Sequence, residues 1–105
     1  MRYMLEVVGS HGVMHFDYNG TIDNARKKAC KYILHDDNIH VNIFTYVGSE
    51  YGKVLKQVGR VFYQYGMNGI GAGYFYQQTT GNKRRYRLSE KTGKTLAINR
   101  EWRYL

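Results

Sequence analysis

Apolar and polar positions alternate from residue 3 to residue 8, with Tyr3, Leu5 and Val7 on one side of an extended chain and Met4, Glu6 and Val8 on the other. Gly9-Ser10-His11-Gly12 offers a turn. Val13 to Tyr18 then resumes the alternation, Met14, Phe16 and Tyr18 against His15 and Asp17, which predicts an opening β-hairpin. The period changes after Asn19-Gly20. Ile22, Ala25, Ala29 and Ile33 recur at helical spacing with Tyr32 alongside, and Lys27, Lys28 and Lys31 gather on the opposite side. Thr21 is placed to cap this segment, and Asp23 sits in the first turn, where the helix dipole favours an anion. The spacing predicts an amphipathic helix from residue 22 to about 35, ended by Asp36-Asp37-Asn38 and laid on a sheet. Arg26 falls close to the apolar stripe and is expected to snorkel past it to water.

Ile39 to Val47 alternates again, Ile39, Val41, Ile43 and Val47 against His40, Asn42, Phe44 and Tyr46. Lys53 to Tyr65 also reads as strand, but its apolar parity shifts between Val54 and Val58 on one side and Val61, Tyr63 and Tyr65 on the other, so a bulge or break is expected at Gly59. Residues 66–73 form a glycine-rich loop between two halves of the chain. Tyr74 to Thr79 and Lys83 to Leu88 flank a short turn, Lys91-Thr92-Gly93-Lys94 makes another, and Thr95 to Ile98 extends again. Residues 99–105, with Trp102 and Tyr104 beside Arg100 and Arg103, form a tail that docks or stays loose. The prediction is one α+β domain over residues 1–105: a twisted antiparallel sheet of about five to seven strands with one helix on one face. The helix stripe and the Ile39, Val41, Ile43 face are expected to supply the core.

Composition sharpens this picture. The 105 residues include eleven tyrosines, twelve glycines and no proline, which fits many short strands joined by glycine turns. Charge is unevenly placed. Of sixteen Lys and Arg residues, eight lie between Lys83 and Arg103, opposed there by Glu90 and Glu101 alone, so this stretch carries a formal +6 of the chain's +8. An excess of that kind points to a polyanionic partner. Size and basic composition alone resemble those of accessory open reading frames of phages and mobile elements. The N-terminus meets Glu6 before a signal-peptide core forms, and no apolar run approaches membrane length, so a cytoplasmic protein without a membrane partner is expected.

The basic stretch contains a hairpin. With Gly81-Asn82 as a two-residue turn, Gln78 faces Arg85, Tyr76 faces Arg87 and Tyr74 faces Ser89. Tyr74, Tyr76, Gln78, Lys83, Arg85 and Arg87 then share one surface, and Phe75, Gln77, Tyr86 and Leu88 turn toward the core. Tyrosines beside arginines on a sheet can stack bases while neutralising phosphates. The expected nucleic-acid-binding residues are therefore Tyr74, Tyr76, Lys83, Arg85 and Arg87, with Lys91 and Lys94 in the next turn, in a non-enzymatic protein. A three-residue loop would instead move Arg84, Tyr86 and Leu88 onto the Tyr74 and Tyr76 face. The alternative function is an interaction module, a small adaptor or inhibitor docking on an acidic protein through an edge strand or the Trp102 tail.

Other signals are weaker. The loop of residues 66–73 leads into a strand, whereas a phosphate loop needs a helix N-terminus. His11 and His15 are separated by about 13 Å if extended, too far to share one ion. His35, Asp36, Asp37 and His40 read as a turn at a helix end. Cys30, the single cysteine, excludes an intrachain disulfide and reads as a packed, inert thiol. No cofactor or metal is expected. Hydrolytic chemistry would need His15, Asp17, His40 or Glu50 brought together beside Arg85 or Arg87.

Overall fold

The alternating segments pair as strands in the computed structural model, which describes residues 1–33, 38–49, 52–65, 71–79 and 84–96. Strands β1 (Arg2–Gly9) and β2 (Gly12–Asn19) form the opening hairpin, with Leu5 opposite Phe16 and Glu6 opposite His15. Gly12 has a φ of 133°, a conformation that suits glycine at this turn. Helix α1 (Ile22–Ile33) follows, and the Thr21 hydroxyl accepts the Asn24 N–H at 3.2 Å as the N-cap. Strands β3 (Asn38–Ser49), β4 (Gly52–Gln64), β5 (Gly73–Gln78) and β6 (Arg85–Leu88) complete one antiparallel sheet in the order β2-β1-β3-β4-β5-β6. Among the described residues the fold is α+β, one helix on one face of a six-stranded sheet.

The helix packs over β1, β3 and β4. Its sheet-facing residues are small, Ala25, Ala29 and Cys30 with Ile33, so the tyrosine rings of Tyr3, Tyr74 and Tyr76 fit beneath it with Leu5, Val7, Val41, Ile43, Val61 and Leu88. Phe16 stacks on Tyr32 at 4.8 Å and Lys28 lies over Tyr18 at 5.3 Å, tying the helix margin to β2. Arg26 does not snorkel. Its guanidinium is buried between helix and sheet, bonded to Asp23 and 4.7 Å from the Tyr76 ring. Burial pushes the Cys30 thiol up to about 12, so it stays protonated in the core.

Two register shifts matter. Val8 pairs with His40 and Gly9 with Asn38, leaving Ile39 as the extra residue of a bulge, so Ile39 is exposed rather than in the core. In β4, Ile43 pairs with Gly59 and Phe44 with Gln57, leaving Val58 unpaired. The bulge predicted at Gly59 thus falls on its neighbour, and it is why Gln57 and Arg60 can share a face. The Val58 carbonyl accepts the Tyr76 hydroxyl at 3.2 Å and the Thr79 N–H at 3.3 Å.

The C-terminal hairpin corrects the expected register. Tyr74 pairs with Leu88, Phe75 with Arg87, Tyr76 with Tyr86 and Gln77 with Arg85. This is the alternative register, one residue from the favoured one. Tyr76 pairs with Val61 across β4, which commits Tyr74 and Tyr76 to the helix side. In the two-residue register the same commitment would drive Arg85 and Arg87 under α1 and put Leu88 on the other face, and burying those charges is prohibitive. The extended segment expected at Thr95 to Ile98 reduces, within the described residues, to a bridge between Thr95 and Leu88. Lys83, the Gly81-Asn82 turn, the His35, Asp36, Asp37 cluster and the Trp102 tail lie outside the described residues.

Candidate nucleic-acid interface

The sheet face opposite α1 collects the polar half of every strand. Pairing aligns one row across all six strands: His15, Glu6, Asn42, Arg60, Gln77 and Arg85. A second row carries His40, Phe62, Phe75 and Arg87 across β3 to β6. No sequence-local signal brings these together, because they come from strands up to 79 residues apart, Glu6 to Arg85.

The first row is hydrogen-bonded through its middle. Asn42, only 7% exposed, donates to Glu6 Oε1 at 2.8 Å, and its own carbonyl accepts Arg60 Nε at 2.8 Å and Gln57 Nε2 at 3.1 Å. The other carboxylate oxygen of Glu6 meets His15 Nε2 at 3.0 Å. The Asn42 and His15 bonds hold the Glu6 carboxyl below its usual range. Burial, with the Arg60 charge nearby, lowers His40 and favours its neutral form.

The second row makes an aromatic floor. Phe62 and Phe75 stack with centroids 5.9 Å apart, Arg85 lies over Phe62 at 5.4 Å, and Arg87 over Phe75 at 5.8 Å. Phe75 is 1% exposed and belongs to the floor, while Phe62 is half-buried. Arg87 is tethered to the backbone, donating to the Ala72 carbonyl at 3.0 Å and the Gly71 carbonyl at 3.4 Å. Arg60 and Arg85 are exposed. Strands β3 to β6 contain Lys53, Lys56, Arg60, Arg85 and Arg87 and no Asp or Glu.

The expected site residues divide accordingly. Arg85 and Arg87 lie on this face. Tyr74 and Tyr76, each 5% exposed, are core residues beneath α1 and share no surface with them. Lys91 and Lys94 are exposed in a turn whose Gly93 abuts the Asp23 carbonyl, placing that turn against the helix. Gly93 has a φ of 72°, so glycine is required twice over, by conformation and by that close approach. Sequence reasoning missed Arg60 and Phe62, whose only signal was their shared parity in β4. It also missed the Glu6 and His15 pair, visible as facing positions of the first hairpin.

At the β1 and β2 end of the same face, Asp17 accepts the Tyr46 hydroxyl at 2.8 Å and Arg2 Nη2 at 3.1 Å, with the Arg2 guanidinium 4.5 Å over the Tyr46 ring. These two donors, Tyr46 first, lower Asp17, and the same bond raises Tyr46. Among the described residues no three His, Cys, Asp or Glu side chains converge as a metal ion would need, and no helix is long and apolar enough to cross a membrane. No protein-family model, curated protein or solved structure matches this chain.

Proposed function

We propose that this is a small non-enzymatic protein that binds single-stranded nucleic acid on the face of β4, β5 and β6 opposite the helix. The observation that carries this reading is a face with exposed Arg60 and Arg85 around Phe62, on four successive strands without an acid. Arg60 and Arg85 stand two strands apart, about 10 Å, and supply phosphate contacts. The half-buried Phe62 ring and the Arg85 guanidinium plane supply stacking surface for a splayed base. A sheet face of this kind meets an open strand more readily than it enters a duplex groove.

The test is fluorescence anisotropy with labelled single-stranded and duplex DNA and RNA, titrated at two salt concentrations. Submicromolar binding near physiological salt, favouring single strands, is expected. Each phosphate contact contributes about 0.7 to the logarithmic salt slope on a single strand, so the double variant Arg60→Ala, Arg85→Ala should flatten it by about 1.4. Binding that is weak, equal for all four probes and indifferent to the double variant would overturn the reading.

A second reading, an interaction module for a protein partner, is favoured by one observation. Among the described residues strand β2 is an eight-residue sheet edge without Lys or Arg, and Val13 and Met14 on it are 52% and 51% exposed. Polyphosphate should displace a nucleic acid from the arginine face and leave a partner strand on β2 in place.

A further inference from the structure

The arginine face continues, through the Arg60, Asn42, Glu6 and His15 row, to a depression of about 400 Å³ lined by Met4, Leu55, Tyr46, His15 and Asp17. Its volume lies within the range of small-ligand sites. Met4 is a buried floor, and Leu55 is an exposed apolar wall. The Tyr46 ring is fixed from two directions, by its hydroxyl bond to Asp17 and by Arg2 over its face. The site is therefore apolar on its broad surfaces and carries a carboxylate at its rim.

We infer that this depression is a nucleobase pocket selective for guanine, with the Asp17 carboxylate reading the base edge. The inference rests on the nucleic-acid reading above. Each Asp17 oxygen already accepts one hydrogen bond, Oδ1 from Tyr46 and Oδ2 from Arg2, which fixes the plane of the carboxylate and leaves each oxygen a further lone pair. The side chain is 57% exposed, so those lone pairs are accessible. The Tyr46 and Arg2 donors also keep Asp17 ionised at neutral pH.

A fixed pair of acceptors selects a base with a matching pair of donors. Guanine presents N1–H and the N2 amino group side by side on its Watson–Crick edge. Cytosine and adenine offer a single amino group there, and uracil offers one imino N–H between two carbonyls that would face the carboxylate. That edge is free only in a single strand, in keeping with the surface from which the pocket extends. Asp17 on β2 lies three strand spacings, about 14 Å, across the sheet from the strand that carries Arg60, within reach of a few nucleotides of extended chain.

Four labelled dodecamers test this: oligouridylate, and the same chain with guanosine, adenosine or cytidine at alternate positions. The guanosine-containing strand should bind about tenfold or more tightly than oligouridylate, the scale of one bidentate base contact. Asp17→Asn, which presents an amino group to guanine's donors, should abolish that margin while the variant still binds oligouridylate. Equal affinity for the four strands, or a guanosine preference that survives Asp17→Asn, would overturn the pocket and leave backbone binding standing. Failure of all four to bind would overturn both readings. As an independent check on the unmodified protein, guanosine 5′-monophosphate should shift the methyl signals of Met4 and Leu55. No shift at millimolar nucleotide would overturn the assignment.

Discussion

Gly59 lies directly beneath the Tyr76 ring, and Gly59→Ala should be the most damaging single-methyl change in the sheet. An added Cβ would stand 2.2 Å from Cε2, Cζ and the hydroxyl oxygen of Tyr76. Ordinary carbon contacts need about 3.5 to 4.0 Å, so the ring would have to retreat by more than about 1 Å. It has nowhere to go: the ring is buried, its hydroxyl is bonded to the Val58 carbonyl at 3.2 Å, and the Arg26 guanidinium packs at 4.7 Å. Overpacking of this kind costs about 1–3 kcal/mol, and losing the Val58 bond about 1 kcal/mol more. Replacing glycine within a strand returns roughly 0.5–1 kcal/mol. The net loss expected is about 1–3.5 kcal/mol, a large fraction of the roughly 5–15 kcal/mol typical of a domain.

Urea unfolding should show it as a lowered midpoint at unchanged slope. The sharper test is a double-mutant cycle with Tyr76→Leu, which removes all three atoms the methyl would meet. In that background Gly59→Ala should cost no more than about 0.5 kcal/mol. A cost below about 0.5 kcal/mol in the native background, or an equal cost in both, would refute the close-packing argument. The contact matters beyond stability because Tyr76 and Thr79 together hold the Val58 bulge, through the Val58 carbonyl and the Thr79 hydroxyl bond to the Gln57 carbonyl at 3.0 Å. That bulge puts Gln57 and Arg60 on one face.

Two further outcomes are expected. The Tyr74 hydroxyl is buried without a hydrogen-bond partner among the described residues, and burial pushes it up to about 12. Tyr74→Phe should therefore raise stability, by about 1 kcal/mol in urea unfolding, and a loss of that size would show that the hydroxyl is satisfied. Acid should weaken the fold in two stages. His40 sits below its ordinary 6.5, so its contribution is complete above pH 6.5 and fades as pH falls toward its folded value. Glu6 sits below its ordinary 4.5, so its contribution is complete above pH 4.5 and is lost as pH falls through its folded value. Glu6→Gln should shrink the lower stage of a urea-midpoint profile, leaving the part that Asp17, also lowered, contributes below its ordinary 3.8, and a profile flat from pH 7 to 3 would refute both assignments.

How far the chain's own letters reach is clearest in the two hairpins. The first was legible because its faces are unequal: Tyr3, Leu5 and Val7 can only be the buried side when Glu6, His15 and Asp17 occupy the other. The last was not. On β5 and β6 both parities carry aromatic rings, Tyr74 and Tyr76 on one and Phe75 on the other, so hydrophobicity does not rank the faces. The choice is made from outside the hairpin, by Val61 pairing with Tyr76 on the adjacent strand. Once that pairing sets the helix side, Leu88 must follow and Arg85 and Arg87 must not. The same dependence hid the polar row, since Glu6, Asn42, Arg60 and Arg85 become neighbours only when the order β1-β3-β4-β5-β6 is known. The cationic tail seen in the sequence was thus a poor guide to which residues share a surface. The tyrosines that looked like a stacking platform pack under the helix, and the ring that lies beside Arg85 on the opposite face is Phe62, on a strand whose composition drew attention only to its bulge.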